Sequence, residues 1–318
     1  TDRTKEIAAE FTDRIYDYVW QEDFAAARNF AFSKATMEYI YSADADEVVD
    51  YFNHKRFAEL KQALLPEIEI VQMHYITPPQ YNTTANFKKE YRPKLYRRLR
   101  SFVWIDAVHE TVRLDPVVYD SDIEIKHLPR SLHAERDFKL FGRVFEREGS
   151  LSAKLHSMYV KELYVSGKEE DFVEAADILG HTLKMPEASF DMKREAICAL
   201  CRLHRLKGDT GRFFSLAFKL MPSAICAELC YEVGSYFKDQ EDYEEAVQWF
   251  ELAAYQAEPV IDVRAGGILP LLELGECCRA LSRRIGGGNQ EHEGQVQFYL
   301  EAAEKYEKEA AGWDMPDN

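Results

Sequence analysis

The first half of this 318-residue chain contains no cysteine: the six are Cys198, Cys201, Cys226, Cys230, Cys277 and Cys278. Any metal site in the first half is therefore built from oxygen and nitrogen donors rather than thiolates. In the second half, Cys198 with Cys201 and Cys226 with Cys230 have spacings that suit zinc. Both pairs fall inside strongly helical patterns without the turn of a zinc knuckle, so the expectation is small buried thiols between packed helices, with no disulfide needed. No apolar run approaches the length of a membrane span, and Thr1-Asp2-Arg3-Thr4-Lys5 is not a signal peptide, so a cytoplasmic location is expected. Positive charge is in deficit, 40 Lys and Arg against 56 Asp and Glu for a net charge of −16, which argues against nucleic acid as the main partner. A local basic site remains compatible with that balance. Glycine and proline are sparse, at 15 and 11, in a composition that is 46% hydrophobic, as in a globular protein of two ordinary domains.

The first half alternates helical and strand patterns. Ile7, Ala8 and Phe11 recur at helical spacing after the cap-like residues 1–4, predicting a helix from the first residue. Helices of α/β domains follow a strand, so the chain reads as starting partway through a fold. Residues 14–20 predict a strand, 23–35 an alanine-rich helix, 55–65 an amphipathic helix and 68–76 a further strand ended by Pro78 and Pro79. The polar loop to Asn86 suits a flap facing an acceptor.

The chain is organised around Tyr39-Ile40-Tyr41-Ser42-Ala43-Asp44-Ala45-Asp46-Glu47. Its apolar start predicts a strand buried between layers, and strand alternation sends Asp44 and Asp46 to the same side. Two like charges so close repel, and the carboxyl edge of an open α/β sheet is where ligands bind, so a cation is expected there. Hard oxygen donors favour Mg²⁺ or Mn²⁺ held together with substrate phosphates. The alternative is a solvated acidic turn. Arg28 and Asn29 on the alanine-rich helix are either surface polar residues or groups aimed at a phosphate or base.

Residues 88–100 carry Lys88, Lys89, Arg92, Lys94, Arg97, Arg98 and Arg100 against the single acid Glu90. A diphosphate is the first reading of this cluster, a solvated face the second and nucleic acid the third. Val108-His109-Glu110 follows an apolar run. It lacks the second histidine of a zincin, because Arg113 stands there, and offers a general base or a hydrogen-bonded structural pair. A short strand over 123–126 delivers His127, either a structural histidine or a ligand.

From about Arg136 the alternation stops and helical patterns follow in pairs: 155–166 with 170–183, 192–206 with 211–220, 224–237 with 243–256, and 268–283 with 296–308. Gly234, Ala246, Phe250, Ala253 and Pro259 fall near positions where a small residue lets two helices touch or a ring fills the groove, the spacing of a tetratricopeptide repeat. Gly286, Gly287 and Gly288 lack the lysine of a phosphate loop and read as a turn.

Taken in order, Thr1-Asp2-Arg3-Thr4, Trp20 with Asp23-Phe24 and Ala27-Arg28-Asn29, Asp44-Ala45-Asp46-Glu47, Lys94-Leu95-Tyr96-Arg97, Val108-His109-Glu110 and His127 resemble the bacterial family 2 glycosyltransferases with a C-terminal tetratricopeptide region. The resemblance implies an α/β domain over 1–135 with a GT-A-like, Rossmann-like sheet lacking its first strand, helix and strand. An all-α tetratricopeptide-like domain follows over 136–318. It implies transfer, with inversion, of a sugar from a nucleotide diphosphate sugar to a peptide or protein, lipid or glycan acceptor.

Asp44 then resembles the aspartate beside the ribose of the donor and shares the metal edge, while Asp46 resembles the ligand of Mg²⁺ or Mn²⁺ and His127 the histidine that completes metal binding. Arg28, with Asn29, resembles the nucleotide-side group. Glu110, beside His109, is similar in position to the base. Arg97 and Arg98 suit neutralisation of the departing diphosphate. The repeat domain is expected to hold an acceptor protein, to build a homodimer or to stabilise the whole. The rival reading is a non-catalytic interaction protein carrying a degenerate transferase remnant.

Overall fold

A computed structural model describes residues 3–76, 89–98, 104–105, 111–112, 116–127, 134–222, 225–286 and 292–314. It is an α/β region followed by an all-α region. The first helices are α1 (Thr4–Ala9), α2 (Phe24–Lys34) and α3 (Tyr51–Ala63). Asp23 caps α2 by accepting from the Ala26 amide at 2.9 Å, and Asp50 caps α3 by accepting from the Asn53 amide at 3.0 Å.

Five strands make one mixed sheet: β1 (Tyr39–Tyr41), β2 (Glu47–Val48), β3 (Ile70–Ile76), β4 (Lys89–Arg97) and β7 (Val118–His127), in the order β1-β4-β3-β7-β2. β3 and β7 run parallel, and the other neighbours are antiparallel. A separate antiparallel pair joins β5 (Trp104–Ile105) to β6 (Thr111–Val112).

Alternation along the strands loads both faces of the sheet. Val71, Met73 and Tyr75 of β3, Leu95 of β4, and Ile123 and Ile125 of β7 form one cluster, against which Phe57 and Leu60 of α3 pack. On the other face Ile70 and Tyr96 meet Ala25 and Phe32 of α2. Val71, Met73 and Ile125 are fully excluded from solvent. At about 2 kcal/mol for each such side chain, this burial fixes the register that carries the site.

Three strand expectations change. Residues 14–20 form no strand: Tyr16 and Val19 are 50% and 82% exposed, because the stretch finds no partner strand among the described residues. β1 is not buried between layers but lies half-buried at an edge of the sheet, bonded among the described residues only to β4. The strand predicted over 123–126 is longer, beginning at Val118. The proposed flap between Pro78 and Asn86 lies outside the described residues.

Helices begin again at α4 (Ala134–Glu148) and continue as α5 (Ala153–Ser166), α6 (Glu169–Lys184), α7 (Phe190–Leu206), α8 (Thr210–Leu220), α9 (Ala227–Asp239), α10 (Tyr243–Tyr255), α11 (Ile268–Gly286) and α12 (Glu293–Gly312). Ser152, Ser189, Asp209 and Asp242 cap α5, α7, α8 and α10 through their side-chain oxygens. Gly208, at φ +67°, turns the chain from α7 into α8, a conformation that favours glycine. At the α9–α10 contact a Cβ on Gly234 would lie 2.8 Å from the ring of Phe250, so a hydrogen at this position is what allows the two helices to touch.

Ala246, Phe250 and Ala253 are wholly buried at that contact. The Glu228 carboxylate at the start of α9 accepts from the backbone amides of Val260, Ile261 and Asp262 at 2.9, 2.7 and 2.9 Å, which pins the loop after α10. All six cysteines are free and buried, and the sulfurs of Cys198 and Cys226 approach to 3.4 Å. Among the described residues no helix is long and apolar enough to cross a membrane.

Candidate functional site

β1 ends at Tyr41, and the chain then turns through Asp44 and Asp46 into β2. The Ser42 amide donates to the Lys94 carbonyl at 2.8 Å, so β4 holds the start of this turn. β2 pairs antiparallel with the end of β7, which puts Glu47 opposite His127. That register brings the Asp46 carboxylate beside the imidazole, with Oδ2 3.1 Å from Nε2 of His127. Residues 81 positions apart thus meet at the edge where parallel β3 and β7 end.

Asp44 faces a different set of partners. Arg28, projecting from α2, donates from Nη2 to both Asp44 oxygens at 2.9 and 3.2 Å and from Nη1 to Ser42 Oγ at 2.8 Å. Lys94 lies beneath the turn with its ammonium on Glu47 and 3.6 Å from Asp44 Oδ2. The Lys94 side chain is 7% exposed and that of Glu47 2%, so this is a buried ion pair. Tyr75 closes the floor: its ring lies 5.0 Å from the Lys94 ammonium, 4.2 Å from the Arg92 guanidinium and 5.3 Å from the His127 ring.

The electrostatics follow from these contacts. Burial pushes the Asp44 carboxyl up, but Arg28 first and Lys94 second outweigh it and hold it below the usual carboxylate range. Glu47 goes the other way, since burial lifts it by more than Lys94 lowers it. The Tyr41 phenol is pushed up to about 12 by burial and then by Glu47 and Asp44.

Asp44 and Asp46 therefore do not form a repelling pair on one side of a strand: both lie in the turn beyond β1, and each turns to its own partner. Arg28 and Lys94 balance Asp44 and Glu47. Asp46 is the acid of the turn left without a lysine or arginine among the described residues.

The basic stretch is likewise divided. Lys89 pairs with Glu124 at 2.7 Å, Arg92 with Glu90 at 2.5 Å and Lys94 with Glu47. Arg97 and Arg98 are not brought to the acidic turn. β4 runs antiparallel to β1, so Arg97 faces Tyr39 at the opposite end of that strand, and Arg98 donates to the Met37 carbonyl at 2.6 Å. Three residues of strand, about 10 Å, separate Arg97 from Lys94. Asn29 is half-buried beside Arg28 on α2. His109 and Glu110 lie outside the described residues.

Tyr75 joins the site, as do Ser42 and Glu47 of the acidic motif and Arg92 and Lys94 of the basic stretch, in pairings that the sequence does not show. Glu47 ended the acidic motif and Lys94 sat in the basic stretch, but their pairing spans 47 positions and no local pattern carries it. Strand alternation does not mark Lys94 either: Lys94, Leu95 and Tyr96 are buried in succession where the β3–β4 register slips, so period 2 fails at this residue.

Among the described residues no group of three His, Cys, Asp or Glu side chains gathers into a cage for a metal. The residues do offer a pair: two donors 3.1 Å apart match neighbouring positions on an ion whose bonds are about 2.1 Å, which are spaced by roughly 3 Å. Phosphate oxygens of a substrate suit the remaining positions of such an ion.

Residues 1–111, which hold the acidic turn but not β7 or His127, match the family model described as Glycosyl transferase family 2. No curated protein matches the chain. Among solved structures it is similar to one described as "Crystal structure of MamA protein", at 12% identity and a TM-score of 0.37, over 58% of this chain and 88% of that one.

Proposed function

We propose that the protein transfers a sugar, with inversion, from a nucleotide diphosphate sugar to an acceptor, and that it needs Mg²⁺ or Mn²⁺ to do so. The observation that carries this reading is that the stretch matched by the Glycosyl transferase family 2 model contains the turn whose Asp46 meets His127. Asp46 and His127 would hold the ion, which would supply positive charge to the departing diphosphate. The imidazole nitrogen favours Mn²⁺ over the harder Mg²⁺.

Asp44, fixed by Arg28, presents a carboxylate edge to the ribose side of the donor. Arg28 and Asn29 lie on the nucleotide side. Glu110, with His109 beside it, takes the proton from the acceptor nucleophile. The helical region, read as tetratricopeptide-like, carries the acceptor, whether peptide, lipid or glycan, or builds a dimer.

The test is release of nucleoside diphosphate by the full-length protein from a panel of nucleotide sugars with Mn²⁺. Release that a chelator stops is expected, and no release from any donor contradicts the reading. One observation favours the rival, a non-catalytic interaction protein: Asp44 and Glu47 already have internal counter-charges. That reading predicts that no nucleotide sugar is turned over.

A further inference from the structure

Three acids crowd the turn after β1, and two of them, Asp44 and Glu47, share a lysine from another strand. Lys94 enters from β4 where the β3–β4 register slips between Val71 and Gln72. Its backbone carbonyl takes the Ser42 amide at 2.8 Å, so the same residue grips the turn through main chain and side chain. Its ammonium reaches Glu47 and stands 3.6 Å from Asp44, above the ring of Tyr75. Three groups in one small space fit a compact ammonium better than a planar guanidinium fork. Arg28 completes the arrangement from α2 through Asp44 and Ser42.

The geometry points to Lys94 as a positioning residue for the candidate site: by tying Asp44 and Glu47 to β4, it orients the turn so that Asp46 stands against His127. This inference rests on the sugar-transfer reading for its ligand, but its claim about the turn can be measured separately. The pair is buried, so removal of Lys94 leaves Glu47 without its counter-charge. A positioning role and a purely neutralising role then differ when Glu47 is neutralised too.

The experiment compares full-length wild type, Lys94→Met, Lys94→Arg and the double variant Glu47→Gln/Lys94→Met. Amide hydrogen exchange over residues 42–50 reports the turn, and titration with Mn²⁺ and UDP reports the site. Lys94→Met is expected to speed exchange over 42–50 at least tenfold, to leave exchange in α7–α10 unchanged and to weaken Mn²⁺·UDP binding at least tenfold. Lys94→Arg restores part of both.

The double variant recovers the melting temperature, since no buried charge is left alone, yet keeps the fast exchange and the weak binding. Unchanged exchange in Lys94→Met, or wild-type exchange and binding in the double variant, overturns the proposal. Should Lys94→Met fail to fold, the double variant decides alone. If the wild type binds neither Mn²⁺·UDP nor Mn²⁺ with ADP, GDP or dTDP while the turn loosens as described, the sugar-transfer reading fails and the assignment of Lys94 stands.

Discussion

At the scale of single residues, the site is decided by which carboxylate has which counter-ion. Asp44 has Arg28 and, at longer range, Lys94, and its carboxyl is held below the ordinary value of about 3.9. Its pairing therefore stabilises the fold fully above that value, and the benefit is lost as pH falls through the lower folded value. Asp44 is 38% exposed, so solvent screening reduces the effect to about 1 kcal/mol. Glu47, lifted by burial, runs the other way: its contribution is present in acid and lost as pH rises through its raised value. The expected outcome is that the urea midpoint of the wild type falls on acidification from pH 5 to pH 3, and that Asp44→Asn has a lower midpoint at pH 7 and a flatter fall. An acid profile in Asp44→Asn as steep as the wild type's would contradict this assignment.

At the scale of elements, the strands show what a sequence can and cannot convey. The change from alternating strand and helix patterns to helical patterns alone is legible because both periods are local properties, and the structure is an α/β region followed by an all-α region. The edge position of β1 and the separation of Arg97 from Asp46 were not legible, because strand order and direction are settled by distant pairing. Residues 14–20 misled for the same reason: a strand-like composition makes no strand without a partner.

The helix contacts were more readable, since Gly234 and Phe250 sit at a spacing that itself implies close approach. Gly234→Ala gains about 1 kcal/mol of helix propensity but forces a buried ring to move, at a cost of about 1–3 kcal/mol, and is expected to lower the urea midpoint. Gly180→Ala, in α6 with nothing within 4 Å of the new methyl, has only the gain and is expected to raise it. Shifts in the same direction for both variants would rule out the close α9–α10 contact.

At the scale of the molecule, the two halves hold their cores by different means. The sheet region buries alternate strand residues between α2 and α3, and the acidic turn lies beside the end of β3 and β7. The helical region joins α4 through α9 around one continuous cluster from Phe138 to Ile261, with a second cluster around Phe250 and Leu274. Phe24 of α2 packs against the first of these clusters, and the Arg136 guanidinium lies 4.9 Å from its ring, so the helix that carries Arg28 also touches the helical region.

On the proposed reading, Asp46 and His127 together hold the ion that lets a sugar leave its nucleoside diphosphate. That reading is tested most directly by Mn²⁺-dependent release of nucleoside diphosphate in the wild type and in Asp46→Ala, with melting temperatures measured alongside. A loss of at least about 100-fold is expected at an unchanged melting temperature, the scale of removing a main source of transition-state charge stabilisation. Release by Asp46→Ala at the wild-type rate, with the same dependence on Mn²⁺, would contradict it.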